Sequence, residues 1–178
     1  NPNVWITYGW YIDDFAIVTL PNNDLAASTP AWGSLGLHYY QIPATQVAPI
    51  DYSATVINDG SDTQTNTQLT VDVTGAGTFN GTSPLGLNLA AGASDSLVLS
   101  TQFTPSALGT YSFTWSVGAD QVEDVPANND LAGESFDVTQ YIYARDTDGN
   151  PGASGGEDGN VIGDFAFEAG SYFDVFTT

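Results

Sequence analysis

The chain has 178 residues, with 21 acidic side chains, one arginine (Arg145) and no lysine, which gives a formal net charge of −20. This charge disfavours nucleic acids and anionic membranes as partners, because their phosphates repel a polyanion. It also leads us to expect counter-ions, above all divalent cations. The absence of lysine and cysteine excludes lysine Schiff bases, disulfide bridges and thiolate metal sites.

The composition is nevertheless that of a folded chain. Hydrophobic residues make up 42% and aromatic residues 12% of the sequence, whereas acidic disordered segments contain few aromatic residues. No apolar run approaches the roughly 20 residues that a helix needs to span a bilayer. Because the chain lacks methionine and a signal peptide, we expect it to be part of a longer precursor.

Apolar residues alternate along the chain, and clusters of Gly, Pro, Asn or Asp interrupt them at intervals of roughly 8–12 residues, which predicts an all-β sandwich or barrel. Residues 3–19 are predicted to form one or two strands, and residues 20–34 a turn-rich connector.

The central block, residues 35–139, contains seven predicted strands, a number typical of an immunoglobulin-like β-sandwich. Phe113 and Trp115 alternate with polar neighbours and are expected to face its core. The predicted strands are residues 35–42, 52–58, 68–74, 78–79, 95–103, 110–117 and 134–139.

Beyond the central block, residues 146–160 form a loop rich in Gly and Asp. Two further strands are predicted around residues 165–167 and 172–176. Two strands alone are marginally stable in water, so we expect them to pair with the N-terminal strands or with chain outside this sequence.

Four segments of the central block carry a likeness to a known family: residues 56–60 (VINDG), 89–94 (LAAGAS), 109–111 (GTY) and 125–130 (VPANND). With these turn motifs the block resembles CARDB-type domains, the immunoglobulin-like, cell-adhesion-related modules of bacterial surface and secreted proteins. The resemblance implies adhesion, spacing or display as the function.

Two other segments resemble parts of neighbouring domains. Residues 9–15 (GWYIDDF) resemble the closing strand of MAM-like or choice-of-anchor-J jelly rolls, and residues 141–146 (YIYARD) resemble the opening of a further β-domain. This combination is similar to large multidomain proteins that Bacteroidetes-type bacteria export, often through type IX secretion. The resemblances divide the chain into the C-terminal strands of a jelly roll, a linker, an immunoglobulin-like sandwich, and an acidic loop with the opening strands of another module. The corresponding boundaries are 1–20, 21–34, 35–139 and 140–178.

Two places are candidates for a structural Ca²⁺. Asp146, Asp148 and Asn150 stand at alternate positions around Gly149, as oxygen ligands do in a calcium loop; the alternative is a solvated acidic linker. Asp13 and Asp14 point to opposite faces of a strand and so cannot form a catalytic pair. In the jelly rolls that residues 9–15 resemble, an acid of this motif often binds calcium; the alternative is an ordinary turn or edge acid.

The aromatic group Trp5, Tyr8, Trp10 and Tyr11 near the N-terminus is expected to be core or domain interface, since burying such side chains stabilises a fold. Trp5, Trp10 and Tyr11 are also the candidates for a face that stacks on sugar rings, if part of this group is exposed.

Catalytic chemistry has weak support in the sequence. A glycosidase needs two carboxyls roughly 5–10 Å apart, and none of the glutamates lies in a recognisable motif. His38 is the only histidine and is expected in a strand beside Tyr39 and Tyr40; a histidine without a located nucleophile is not a triad. Arg145 is expected to form a structural salt bridge. The glutamates considered are Glu123, Glu134, Glu157 and Glu168.

The sequence therefore predicts a non-enzymatic extracellular module of a large bacterial surface or secreted protein, serving as a stalk, adhesin or filament segment. Its expected partners are neighbouring domains of the same precursor or other surface proteins, without nucleic acid and without membrane insertion. The alternative is the accessory carbohydrate-binding region of a secreted hydrolase.

Overall fold

The computed structural model describes residues 19–34 and 38–144, which form two β-sheets packed face to face. Within these residues there are nine strands and two short 3₁₀ helices, Ala44–Gln46 and Pro126–Asn128. The strands are β1 (Leu25–Gly33), β2 (Gln41–Pro43), β3 (Asp51–Asn58), β4 (Gln64–Gly75), β5 (Phe79–Thr82), β6 (Leu87–Leu89), β7 (Ser94–Val98), β8 (Gly109–Gly118) and β9 (Asp130–Thr139).

One sheet has the order β1-β3-β7 and the other the order β2-β9-β8-β4-β5, with β6 paired to β4. All these pairings are antiparallel except that of β2 with β9, which is parallel. Buried side chains alternate with half-buried ones along β3 and mostly with exposed ones along β8, because successive residues of a strand point to opposite faces. The buried faces of both sheets form one core, so the predicted all-β, immunoglobulin-like sandwich is confirmed.

Aromatic side chains fill much of this core. Phe113 and Trp115 are buried as predicted, at 1% and 0% exposure. Tyr111 stacks on Phe136 with ring centroids 5.2 Å apart, and its hydroxyl both donates to the carbonyl and accepts from the N–H of Ala107 at 3.0 Å. This hydrogen bond from the start of β8 back to the preceding loop is the tyrosine corner of immunoglobulin-like sandwiches.

The turn-rich connector predicted for residues 20–34 is wrong for most of its length, because Leu25–Gly33 form β1. Pro30 and the polar residues around it suggested a loop. β1 is an edge strand, however, and an edge strand tolerates a proline and a bulge because its outer N–H groups need no partner in the sheet. The pairing with β3 accordingly shifts register between Ser28 and Ala31, and Thr29 has φ 43°.

Two predicted strands are shorter than expected. Of the strand predicted over residues 35–42, residues 35–37 lie outside the described part, His38 is not in a strand, and β2 begins only at Gln41. The strand predicted over residues 95–103 ends at Val98. Beyond it, the N–H of Leu99 donates to Tyr52 of one sheet and that of Ser100 to Thr82 of the other, so the chain crosses between the sheets.

The chain enters the sandwich at one end and leaves it at the other. Leu25 pairs with Asn58, and the N–H of Val117 donates to the carbonyl of Asn129. The starts of β1 and β9 therefore lie at one end, which we call the N-terminal end. The last residues of β9 pair with the start of β8, which defines the C-terminal end. No helix in residues 19–34 and 38–144 is long and apolar enough to cross a bilayer.

Candidate functional site

Five residues at the N-terminal end form a closed circuit of contacts, which we call the carboxylate–amide ring: Asp24, Leu25, Glu123, Asn128 and Asn129. Asn128 Nδ2 donates to Asp24 Oδ1 at 2.9 Å, and Asn129 Nδ2 donates to Glu123 Oε2 at 3.2 Å. The Leu25 N–H donates to both oxygens of Glu123, at 3.1 and 3.2 Å. Chain neighbours close the circuit, since Asp24 precedes Leu25 and Asn128 precedes Asn129.

The loop between β8 and β9 is tied to the chain that leads into β1. Asp124 Oδ2 accepts from the N–H groups of Asn22 and Asn23 at 3.0 and 2.9 Å, and the Asp124 N–H donates to the Asn23 carbonyl at 2.8 Å. On the other side, Asn129 Nδ2 also donates to the Val117 carbonyl at 3.2 Å. Carboxylates thus satisfy backbone donors that no strand partner reaches.

The loop between β3 and β4 packs against the chain that leads into β1 and the ring. The side chain of Asn58 is fully buried and donates to the carbonyls of Asp62 at 2.8 Å and Leu89 at 2.9 Å. Its Oδ1 accepts from the Gly60 N–H at 3.0 Å. A Cβ at Gly60 would lie 2.6 Å from the carbonyl oxygen of Asn22, so only glycine lets this loop approach the chain that precedes β1. Asn58 and Gly60 belong to the motif at residues 56–60.

The ring is negatively charged and rich in oxygen. Asp24 is only 7% exposed, and the described residues contain no Lys or Arg that could neutralise it. Three buried amide oxygens at this end have no hydrogen-bond donor within the part of the chain that the structure describes: Gln64 Oε1, Asn128 Oδ1 and Asn129 Oδ1. Among residues 19–34 and 38–144 there is no metal-binding group of three or more His, Cys, Asp or Glu. The side-chain oxygens of the ring that could ligate a metal ion therefore belong to two carboxylates and to amides.

The carboxylate of Glu134 lies far from the ring. Trp32 Nε1 donates to Glu134 Oε2 at 2.6 Å, while Glu123 contacts Leu25 at the start of the same strand β1. Leu25 and Trp32 are seven positions apart along β1, which corresponds to about 23 Å at roughly 3.3 Å per residue. Glu123 and Glu134 are therefore not paired across a cleft as a glycosidase requires.

The outer face of the six-stranded sheet carries an open groove of ≈ 500 Å³ across β4, β8 and β9. Hydroxyls and the carboxylate of Asp72 line it. Glu134 borders the groove, but its carboxylate points to the inner face, where it accepts from Trp32. Phe113 is its aromatic neighbour but is 1% exposed, so it offers no face for stacking. The lining residues are Asp72, Thr74, Ser112, Phe113, Thr114, Gly133, Glu134 and Ser135.

Two tyrosine hydroxyls are buried in the core: that of Tyr52 has no hydrogen-bond partner among the described residues, and that of Tyr39 lies near the side chain of Ser34. Burial raises the pKa of Tyr39 to about 12. Burial, and secondarily the neighbouring Tyr39, raise the pKa of Tyr52 further. Both phenols stay protonated at neutral pH, and the burial of a neutral hydroxyl is less costly than the burial of a charge.

The residues predicted from the sequence as metal or glycan sites all lie outside the described residues, so these predictions stand as predictions. His38 lies within the described part, but the prediction that it occupies a strand is wrong. Its ring packs against Trp32 with centroids 6.0 Å apart. The residues outside are Trp5, Trp10, Tyr11, Asp13, Asp14, Arg145, Asp146, Asp148, Asn150, Glu157 and Glu168.

The sequence interpretation did not identify the ring. Residues 56–60 and 125–130 were recognised only as turn motifs of a family, and Glu123 was considered only as a catalytic acid. The available signal was the concentration of Asn and Asp on both sides of the sandwich, because turn residues that also carry side-chain oxygens can bind backbone donors of other loops.

Comparisons with known proteins reach the level of the fold. No family model and no curated protein matches the sequence. The chain is similar to the crystal structure of the CARDB domain of a Pyrococcus furiosus protein, described as a complex with di-metal ions. That match has 20% identity and a TM-score of 0.47, and covers 73% of this chain and 100% of the other. A solution NMR structure of the same domain matches with 18% identity, coverage of 68% and 100%, and a TM-score of 0.48.

A third similar structure is that of the ApaA protein from Bordetella pertussis, with 18% identity, coverage of 68% and 99%, and a TM-score of 0.39. The class of the protein follows from its own strand order and core: the described residues form a small all-β sandwich module.

Proposed function

We propose that the chain is a CARDB-type structural and adhesion module of a large exported bacterial protein, in which it serves as a stalk, adhesin or filament segment. The observation that carries this proposal is the path of the chain through the sandwich. β1 begins at the carboxylate–amide ring, and β9 ends at the opposite, C-terminal end. A module with this path separates the chain that precedes it from the chain that follows it.

The separation is set by strand length. β9 has 10 residues and therefore spans about 33 Å at roughly 3.3 Å per residue. β1 and β9 both run from the N-terminal to the C-terminal end, so tension applied to the two ends of the module pulls along its strands. A chain of several such modules would lengthen in proportion to the number of modules.

The interior supports a structural function. Large aromatic side chains fill the space between the sheets, and the carboxylates near the ring accept hydrogen bonds from backbone N–H groups. These carboxylates therefore hold neighbouring loops together. On this proposal the partners are neighbouring domains of the same precursor or other surface proteins, the location is extracellular, and calcium binds near Asp13 and Asp14 and near Asp146 in the flanking segments.

The test is to compare the 178-residue chain with two copies joined in tandem, by small-angle X-ray scattering. We expect the second copy to lengthen the particle by at least the roughly 33 Å of one module. Because the chain has no cysteine, spin labels at A127C and Q140C will also report the separation of the two ends within one module. A tandem that folds back, so that its maximum dimension barely increases, would refute the proposal.

A second candidate function is the binding of a polar polysaccharide, and the groove on the outer sheet face favours it, since its hydroxyls and the carboxylate of Asp72 can accept hydrogen bonds from sugar hydroxyls. A polysaccharide pull-down compares the wild type with D72N and with Trp10→Ala. Loss of binding in the first variant assigns binding to the groove, loss in the second assigns it to the N-terminal aromatic group, and no binding by the wild type removes this candidate.

A further inference from the structure

The orientation of two amides in the ring is fixed by what their nitrogens bind. Asn129 is 8% exposed, and its Nδ2 donates to the carbonyl of Val117 and to Glu123. Both of these partners are pure acceptors, so the amide cannot be turned around without losing two bonds. Its Oδ1 is buried and has no donor among the described residues, and the same holds for the Oδ1 of Asn128, whose Nδ2 donates to Asp24.

A buried oxygen without a hydrogen-bond donor destabilises the folded state, and the ring holds two of them beside two carboxylates. Asp24 is 7% exposed and Glu123 is half-buried. No Lys or Arg is present among residues 19–34 and 38–144. A water molecule could donate to both amide oxygens, but it would leave the two negative charges in place. A cation would satisfy the amide oxygens and neutralise the carboxylates together.

We propose that the carboxylate–amide ring binds a calcium ion through Asp24, Glu123 and the side-chain oxygens of Asn128 and Asn129. All these donors are oxygens, which excludes a site that favours zinc, since zinc in proteins prefers nitrogen and sulfur. Calcium accepts carboxylates and amide carbonyls in irregular arrangements of 6–8 oxygens, whereas magnesium demands near-ideal octahedral geometry. Water completes the coordination.

The ion would join two parts of the module that are far apart in sequence. Asp24 belongs to the chain that leads into β1, and the other three ligands belong to the loop between β8 and β9 and its end. Binding of a ligand to the folded state alone stabilises that state, so calcium would tighten the N-terminal end of the sandwich. This site is distinct from the calcium loop predicted at Asp146, and it does not depend on the proposed function as a structural and adhesion module.

The experiment measures thermal unfolding of the 178-residue chain by tryptophan fluorescence, in chelator and in 5 mM CaCl₂. Sodium chloride keeps the ionic strength equal, because added salt alone screens a net charge of −20. The ring variant D24N/E123Q keeps the shape of both side chains and one acceptor oxygen of each, and it removes their charge. Its matched control D72N/D95N removes two charges from exposed positions, and D146N/D148N removes the other predicted calcium ligands.

We expect calcium to raise the Tm of the wild type and of both controls by roughly 5 °C or more. In the ring variant this calcium-dependent rise should disappear. Titration calorimetry should show one calcium ion fewer bound to the ring variant than to the wild type. Asp24→Asn alone serves the same comparison if the double variant fails to fold, with a calcium affinity reduced roughly tenfold or more.

Three outcomes would overturn the proposal. One is a rise in Tm that is the same in the ring variant as in the wild type, and another is a rise that disappears only in D146N/D148N. The third is a wild type whose Tm calcium leaves unchanged, or raises no more than magnesium at the same concentration does.

Discussion

Replacing Asn58 with alanine should weaken the fold more than any other single exchange of an asparagine. The side chain is fully buried at the end of β3. It donates to the carbonyls of Asp62 and Leu89 and accepts from the N–H of Gly60, at 2.8, 2.9 and 3.0 Å. One amide therefore holds the end of β3, the following loop and β6 in a single arrangement.

The expected cost follows from these three bonds. A typical hydrogen bond contributes about 1 kcal/mol net, and a buried group left without a partner costs about 1–3 kcal/mol. The bonds to the Leu89 carbonyl and to the Gly60 N–H are both buried, so their loss is more expensive than that of the part-buried bond to Asp62. We expect Asn58→Ala to lower the free energy of unfolding by roughly 3–5 kcal/mol in total.

The assay is urea unfolding followed by tryptophan fluorescence, because Trp32 and Trp115 are buried in the core. Asn80→Ala is the matched control: Asn80 is exposed and makes one side-chain bond, to Asp72, so we expect a change within about 0.5 kcal/mol. Asn58→Asp should be at least as destabilising as the alanine at pH 7, since its carboxylate would face two carbonyl oxygens. If Asn58→Ala costs no more than Asn80→Ala, the buried amide does not hold these loops.

Three further predictions concern positions outside the ring. Tyr111→Phe removes the hydroxyl that bonds the loop before β8 and should cost roughly 1–2 kcal/mol in the same urea assay, whereas Tyr141→Phe, at an 81% exposed position, should have almost no effect. Gly75→Ala places a Cβ 2.2 Å from a carbonyl oxygen of β8 and should prevent folding or cost roughly 3 kcal/mol or more; Gly86→Ala shares the positive φ but meets nothing within 4 Å, so a cost equal to that of Gly75→Ala would show that φ strain alone is responsible. Tyr39, with its pKa raised by burial to about 12, stays neutral in the folded state while the unfolded chain ionises near pH 10. Its contribution to stability is therefore complete below pH 10 and is lost as the pH rises towards 12, by roughly 2–3 kcal/mol. Tyr39→Phe should remove this part of the alkaline loss in urea titrations at pH 9 and 11.5, and an unchanged loss would show that Tyr39 is not responsible.

The sequence predicted best those strands that have one face in the core. In β3 and β8 every second residue is buried, and this period of two predicted both the positions of the strands and the inward direction of Phe113 and Trp115. The turn motifs at residues 56–60 and 125–130 also lie where strands end and begin. Glycine and asparagine are informative there because the local backbone demands them, whatever the rest of the fold.

Edges and crossings were predicted poorly. β1 carries Pro30 and a bulge, and its membership of a sheet depends on pairing with β3, whose paired residues lie 18 to 33 positions further along the chain. Likewise, the hydrophobic residues after Val98 look like a continuing strand, but their hydrogen bonds pass from one sheet to the other. The local sequence pattern does not indicate which distant strand a segment will hydrogen-bond to.

By itself the sequence determined that this acidic chain, free of lysine and cysteine, builds a β-sandwich with an aromatic interior, because alternation and turn chemistry are local properties of the chain. Only the tertiary structure decided which acids and amides come together. Asp24 and Asn128 are 104 residues apart, and Leu25 and Glu123 are 98 apart; the closing of the two sheets over a common core brings them within hydrogen-bonding distance. The burial of a carboxylate and of two unpaired amide oxygens, on which the calcium site depends, likewise arises only when those distant loops meet.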